Sequence, residues 1–275
     1  MDPLLLDDRA IIAISGPEAR DFLQGLVTND VVGGLAPGTG LYAALLSPQG
    51  KILFDFFITE GDGALLLDCV KASREILLKK LKMYKLRASI EIEARDQLAV
   101  YSNLTGHPEN RPTPYADRAI TFADPRMTEF GNRSIGAIAE MPANLPGPQA
   151  YHQMRLALGV PEGTDFGSEK IFALDAGLEE LHGVSFTKGC YVGQELTSRM
   201  KHRATARKRI VTIAAEADLP GNGSVTRGGS EIGEILSSYG KTAFALVRLD
   251  RLEEAQGDIE AGSIRVTLTR PPWLG

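Results

Sequence analysis

Cysteine is almost absent from this chain: of 275 residues only Cys69 and Cys190 carry a thiol, beside a single tryptophan and four histidines. Two thiols allow one disulfide at most. A chain of this length buries enough apolar surface to need no staple, so both cysteines are expected to be reduced. The histidines, His107, His152, His182 and His202, stand at no zinc-ligand spacing with the cysteines or with one another, which removes a preformed structural zinc site. An iron-sulfur cluster normally takes four thiolates, more than this chain owns. No apolar run approaches the roughly eighteen residues needed to cross a bilayer. Residues 1–8 also lack the basic stretch of a secretory leader. The expectation is a cytoplasmic protein with no membrane partner.

What is present is an ordinary globular composition, 43% hydrophobic and 24% charged with a net charge of −5, enough for two or three subdomains. That charge argues against a dedicated duplex-DNA binder, yet the basic residues are clustered. Lys71, Arg74, Lys79, Lys80, Lys82, Lys85 and Arg87 face one acid, Glu75. Leu77, Leu81 and Tyr84 recur there at helical spacing, so this run reads as a helix with its lysines in solvent. A second run, Arg199 to Arg209, contains no acid and is the better candidate for an anionic ligand or RNA.

Along the chain, Ile11 to Ile14 reads as a buried strand. Ser15 and Glu18 are placed to cap a helix that sets Ala19, Phe22, Leu23 and Leu26 on one face. Thr28-Asn29-Asp30 follows as a polar turn able to satisfy free backbone groups. Leu41 to Leu46, Lys51 to Thr59 and Ala64 to Val70 stand at hairpin spacing. Ser73 to Leu86 is the basic helix, and Ser89 to Glu93 and Leu98 to Ser102 are further strands. The order indicates an α+β architecture with antiparallel sheets. Residues 103–149 read as the rest of this unit and a connection, and Tyr151 to Leu158 as a short helix carrying Arg155. Beyond Arg203 the text becomes short strands with glycine-rich turns: Lys208 to Ala214, Ser230 to Ser237, Ala243 to Arg248 and Ser263 to Leu268. The expected division is 1–205 and 206–275.

The most specific segment is Lys188-Gly189-Cys190-Tyr191-Val192-Gly193-Gln194-Glu195. Glycines on both sides free the backbone, and a neighbouring ammonium favours the reactive thiolate. This octapeptide resembles the signature of the YgfZ proteins, folate-binding relatives of the glycine-cleavage T protein. Phe22 to Val31, Ser47-Pro48-Gln49-Gly50-Lys51-Ile52, Arg155, Gly159-Val160-Pro161 and Gly183-Val184-Ser185-Phe186 extend the similarity over nearly the whole chain.

The resemblance implies a T-protein-like fold around a central cavity closed by a C-terminal β-barrel. It implies tetrahydrofolate or a derivative as cofactor and a role in assembly or repair of iron-sulfur proteins, including enzymes that modify tRNA. Its partners would be iron-sulfur clients or cluster carriers. The implied folate residues are Gln24, Thr28, Asn29, Asp30, Asp55, Arg155, Asp175, Tyr191, Gln194 and Glu195. Cys190, activated by Lys188, would be the functional thiol and a transient cluster ligand. Two departures bear on chemistry. The acidic pair of the T protein is reduced to Asp55, beside Phe54, which argues against aminomethyl transfer. Ala173-Leu174-Asp175 replaces a Pro-x-Glu pair, and Asp175 either forks onto the pterin or caps the following segment. A folate-dependent one-carbon transferase and an RNA-interacting module remain the alternatives, and catalytic turnover stays open.

Overall fold

Every residue of Ile11-Ile12-Ala13-Ile14 is buried, because the strand that contains them has protein on both faces. The computed structural model describes residues 3–104, 119–140, 142, 144–203 and 207–274. In it β2 (Arg9–Ser15) lies inside an antiparallel sheet with β3 (Gly40–Leu46), β4 (Ile52–Gly61), β5 (Ala64–Val70) and β6 (Glu91–Ala94), in the order β3-β4-β5-β2-β6. Side chains alternate across the sheet. Ile12, Ile14, Ala43, Leu45 and Phe56 meet α1 (Ala19–Gln24), α2 (Val31–Gly34) and α3 (Arg74–Lys85) through Leu23, Val31, Leu77 and Leu81. Ile11, Ala13, Tyr42, Ala44 and Phe57 face the opposite way, into the centre of the molecule.

A second antiparallel sheet, order β1-β7-β9-β8, is built from β1 (Leu4–Leu5), β7 (Leu98–Asn103), β8 (Ala119–Ala123) and β9 (Asn132–Ala137). Val100, Phe122 and Ile135 from it, and Tyr151 from α4 (Gln149–Leu158), join the central core. After α5 (Gln194–Arg203) comes a seven-stranded sheet: β10 (Lys208–Ala214), β11 (Gly223–Arg227), β12 (Ser230–Tyr239), β13 (Thr242–Arg248), β14 (Ile259–Ala261), β15 (Ile264–Arg265) and β16 (Thr267–Thr269), with α6 (Leu249–Glu254) packed on it. Its order runs β15-β14-β11-β12-β13-β10-β16. The two end strands are separated in sequence by one residue, so the sheet curls into a nearly closed barrel with its own core around Val211, Val225 and Val247. Ile210, Phe244 and Leu246 point out of that barrel into the central core.

Several sequence expectations change. Ser15 ends β2 and caps nothing; α1 starts after Glu18 without a side-chain cap, and the Glu18 carboxylate accepts the Ser89 N–H instead. The helix α5 and the strands β11 and β14 carry no clear sequence period and went unread. Asp175 accepts from the Lys208 backbone N–H, so its carboxylate reaches the barrel rather than capping its own segment. His107 and the 205/206 division lie outside the described residues.

Candidate functional site

The cysteine loop is fastened to the N-terminal motif by one ammonium. Lys188 Nζ donates to the carbonyls of Gln24, Val27 and Asn29 at 2.6, 2.6 and 2.8 Å. An ammonium has three N–H donors, and all three are engaged. Its half-burial pushes the lysine down to about 8, Asp30 pulling the other way. Lys188, expected from the sequence to activate Cys190, holds together segments 159 to 164 residues apart in sequence.

The residues of the first motif complete this joint. The Gln24 side-chain oxygen accepts from the Val31 and Val32 N–H groups at 2.8 and 3.1 Å, and its amide donates to Asp30 Oδ1 and to the Lys188 carbonyl. Asp30 caps α2 through Gly33 N–H at 2.9 Å, and that bond, with Gln24 and Lys188, lowers its pKa against the opposing effect of burial. The Thr28 hydroxyl donates to the Gly183 carbonyl at 2.6 Å and accepts from Ala44 N–H at 2.8 Å. Asn29 donates to the carbonyls of Tyr42 and His182. The second motif joins from the other side. A Cβ on Gly193 would stand 2.6 Å from the Ser47 carbonyl oxygen, and its φ is +82°, so only glycine fits this crossing.

Cys190 itself is exposed, whereas Cys69 is buried in β5 and its thiol is pushed up to about 12 by that burial. Tyr191 is buried beneath the loop with the Lys188 ammonium 5.1 Å from its ring centroid. Gln194 opens α5 and Glu195 pairs with Arg199 one turn on. Within the run Arg199 to Arg209, whose residues 204–206 are outside the described part, Lys201 pairs with Glu179 and Arg209 lies 3.6 Å from Glu180. Acids distant in sequence thus offset a charge that looked unopposed.

The other expected folate residues are elsewhere. Asp55 is buried on the central face, accepting from Tyr42 OH and Gly163 N–H at 3.1 and 2.9 Å, and burial raises its pKa. Asp175 is raised to about 6 by burial, with Arg209 and Lys208 drawing it back. Arg155 is one of four buried arginines in a central ion cluster that sequence reasoning missed. Arg9 and Arg133 grip Asp68 at 2.7 and 2.5 Å; Arg126 bridges Asp124 and Glu162 at 2.8 and 2.7 Å; Arg155 meets Asp165 at 2.7 Å. Tyr151 OH donates to Glu162, and Phe57 lies under both Arg126 and Arg133 at 4.6 and 4.0 Å. Burial disfavours the Glu162 anion, but Arg155 and then Arg126 outweigh it and hold the carboxyl well below its usual range.

Of the ten residues expected to bind folate, Arg155 alone lines the cavity of about 530 Å³ beside this cluster, and none lines the cavity of about 630 Å³ between the barrel and residues 165–171. The polar side-chain atoms of Gln24, Thr28, Asn29, Asp30, Asp55 and Arg155 are bonded within the protein, whereas Glu195 is exposed. Apart from Arg155, the expected folate residues do not gather around either of these two cavities. Among the described residues no group of three or more His, Cys, Asp or Glu side chains is placed to hold a metal.

The whole chain adopts the fold of the glycine-cleavage aminomethyltransferases. The glycine cleavage system aminomethyltransferase T from Bartonella henselae superimposes with a TM-score of 0.76 over 99% of this chain and 86% of that one, at 16% identity. Residues 207–275 match the CAF17 C-terminal β-barrel domain family. Sequence narrows the class further. The mouse mitochondrial iron-sulfur cluster assembly factor IBA57 is 32% identical, covering 98% of this chain and 84% of its own length. Its human counterpart is also 32% identical, over 90% of this chain and 78% of its own length. The chain belongs to the IBA57 family.

Proposed function

We propose that this protein is an iron-sulfur cluster assembly factor in which Cys190 supplies one thiolate to a cluster shared with a partner. The observation that carries the reading is the pairing of an exposed cysteine with a clamped loop: the ammonium of Lys188 fixes the backbone two residues away while the sulfur stays in reach of another protein. The naming of IBA57 relatives as assembly factors supports the same role.

The cluster is cargo here. Cys69 is buried and held protonated, so the chain offers one usable thiolate and the remaining ligands come from the carrier or client. Transfer is then an exchange of ligands. The Cys190 thiol releases its proton as sulfur bonds iron, and the displaced partner thiolate takes one up, with no oxidant or reductant required. Gly189, at φ +92°, turns the chain so that Cys190 faces outward, while Tyr191 anchors the loop from below. Tetrahydrofolate enters no step of this scheme.

Complementation is the test. Cells lacking the protein should lose activity of cluster-dependent enzymes; wild type should restore it and Cys190→Ala should not. Full restoration by Cys190→Ala would remove the thiol from the mechanism. Native-state labelling with iodoacetamide gives an independent readout, with Cys190 modified rapidly and Cys69 protected.

A further inference from the structure

The two basic runs exchange roles once the chain is folded. The run on α5 is largely matched by carboxylates, whereas on α3 the lone acid, Glu75, is held by Arg74. Lys79, Lys82, Lys85 and Arg87 form no ion pair among the described residues. Beside these free charges stand three large apolar side chains. Ile76, Met83 and Leu86 are 64%, 70% and 89% exposed, on the side of the helix away from the buried Leu77 and Leu81. Ile76 and Met83 are seven residues apart, two turns along one stripe, with Lys79 between them. Leu86 follows the helix at φ +46°, where helix ends ordinarily place glycine or asparagine. A bulky apolar side chain is therefore held in solvent by a backbone conformation that disfavours it.

We propose that this face of α3 is a peripheral membrane-contact surface, seating Ile76, Met83 and Leu86 at the headgroup boundary of an anionic phospholipid bilayer while the surrounding lysines meet its phosphates. No described helix is long and apolar enough to cross a membrane, so the contact is interfacial. Charge complementarity selects an anionic surface. The residue types select lipid over protein: cores of protein interfaces favour arginine and aromatic side chains and are poor in lysine. Here the free cations are mostly lysines, mobile point charges suited to a fluid layer of headgroups, and the outward apolar residues are aliphatic.

The test is flotation of the full chain with vesicles of phosphatidylcholine alone or mixed with phosphatidylglycerol. Binding is expected only to the mixed vesicles and should weaken with added salt. Each cation near an anionic leaflet is worth about fivefold in affinity, so Lys79→Glu with Lys82→Glu should reduce binding by well over tenfold. The triple replacement Ile76→Ser, Met83→Ser, Leu86→Ser should also reduce it at least tenfold; all three positions are exposed, and an unchanged circular dichroism spectrum verifies folding. Equal flotation with both vesicle types overturns the proposal. So does binding that is indifferent to the three apolar residues, since a contact made by charge alone does not seat them at the headgroup boundary.

Discussion

The molecule contains two polar assemblies of opposite design. In the centre, four arginines and the carboxylates of Asp68, Asp124, Glu162 and Asp165 are sealed between the sheets and α4. At the cysteine loop one ammonium meets three uncharged carbonyls, half open to solvent, next to an exposed thiol. A buried cation whose partner is removed has no water to turn to, while an exposed sulfur can change ligands freely. The first assembly therefore holds the lobes together, and the second can act because its neighbours, and not the sulfur, bear the structural duty.

The strongest way to break this contrast is to cut each assembly once. Arg126→Met leaves Asp124 and Glu162 short of a cation in a dry site and should destabilise the fold by about 3–5 kcal/mol in denaturant titrations. Cys190→Ser, on an exposed loop, should stay within about 0.5 kcal/mol of wild type while eliminating complementation. Comparable destabilisation by the two replacements would abolish the distinction.

Acid should act on the centre in the same direction but more gradually. The folded pKa of Glu162 is depressed, so the unfolded chain takes up a proton that the folded carboxylate refuses. Its contribution is complete above the ordinary glutamate value of 4.5 and is lost as pH falls below it. Glu162→Gln should flatten the acid limb of a stability-versus-pH curve. An acid limb as steep as that of wild type would mean that Glu162 is not where the cluster is acid-sensitive.

Lys188→Met tests the second assembly. Three carbonyls lose a shared donor, and about 1–3 kcal/mol of stability should go with it. The sharper result concerns chemistry. If the ammonium positions the loop without activating the sulfur, the rate of Cys190 alkylation at neutral pH should be the same in Lys188→Met while complementation falls. Slower alkylation in Lys188→Met would support the activating role read from the sequence.

The Lys188 contacts show where sequence reading stops. The hairpins from residue 40 to 70, the basic helix and the early barrel strands were legible because alternation and helical spacing record which side of an element is buried. The cysteine motif was legible for its rare residue and its glycines. The direction of the Lys188 side chain was not, since its partners are backbone carbonyls that no residue type announces. The central cluster was hidden for a related reason: Arg9, Asp68, Arg126 and Glu162 are scattered over more than 150 positions, and each alone looks like a surface charge. Asp55 and Arg155, read as ligand residues, are both buried and bonded to protein groups, and Arg155 also lines a cavity.

Asp175 lies between the two designs, buried but opposed only by Arg209 and Lys208 from the start of the barrel, and it should give the smallest effect. Its folded pKa of about 6 lies above the ordinary 3.8, so between those values the folded chain keeps a proton that the unfolded chain has released. Stability from this group is present below 3.8 and lost as pH rises through 6. Asp175→Asn keeps an acceptor for the Lys208 N–H and removes the buried charge. It should therefore stabilise the protein at pH 8 by on the order of 1 kcal/mol and leave it unchanged in acid. Calorimetric titration with tetrahydrofolate should be the same for both proteins, because the carboxylate faces the barrel strand rather than an open pocket. Destabilisation at pH 8 would instead make Asp175 and Arg209 a working ion pair, a small outlying member of the sealed class.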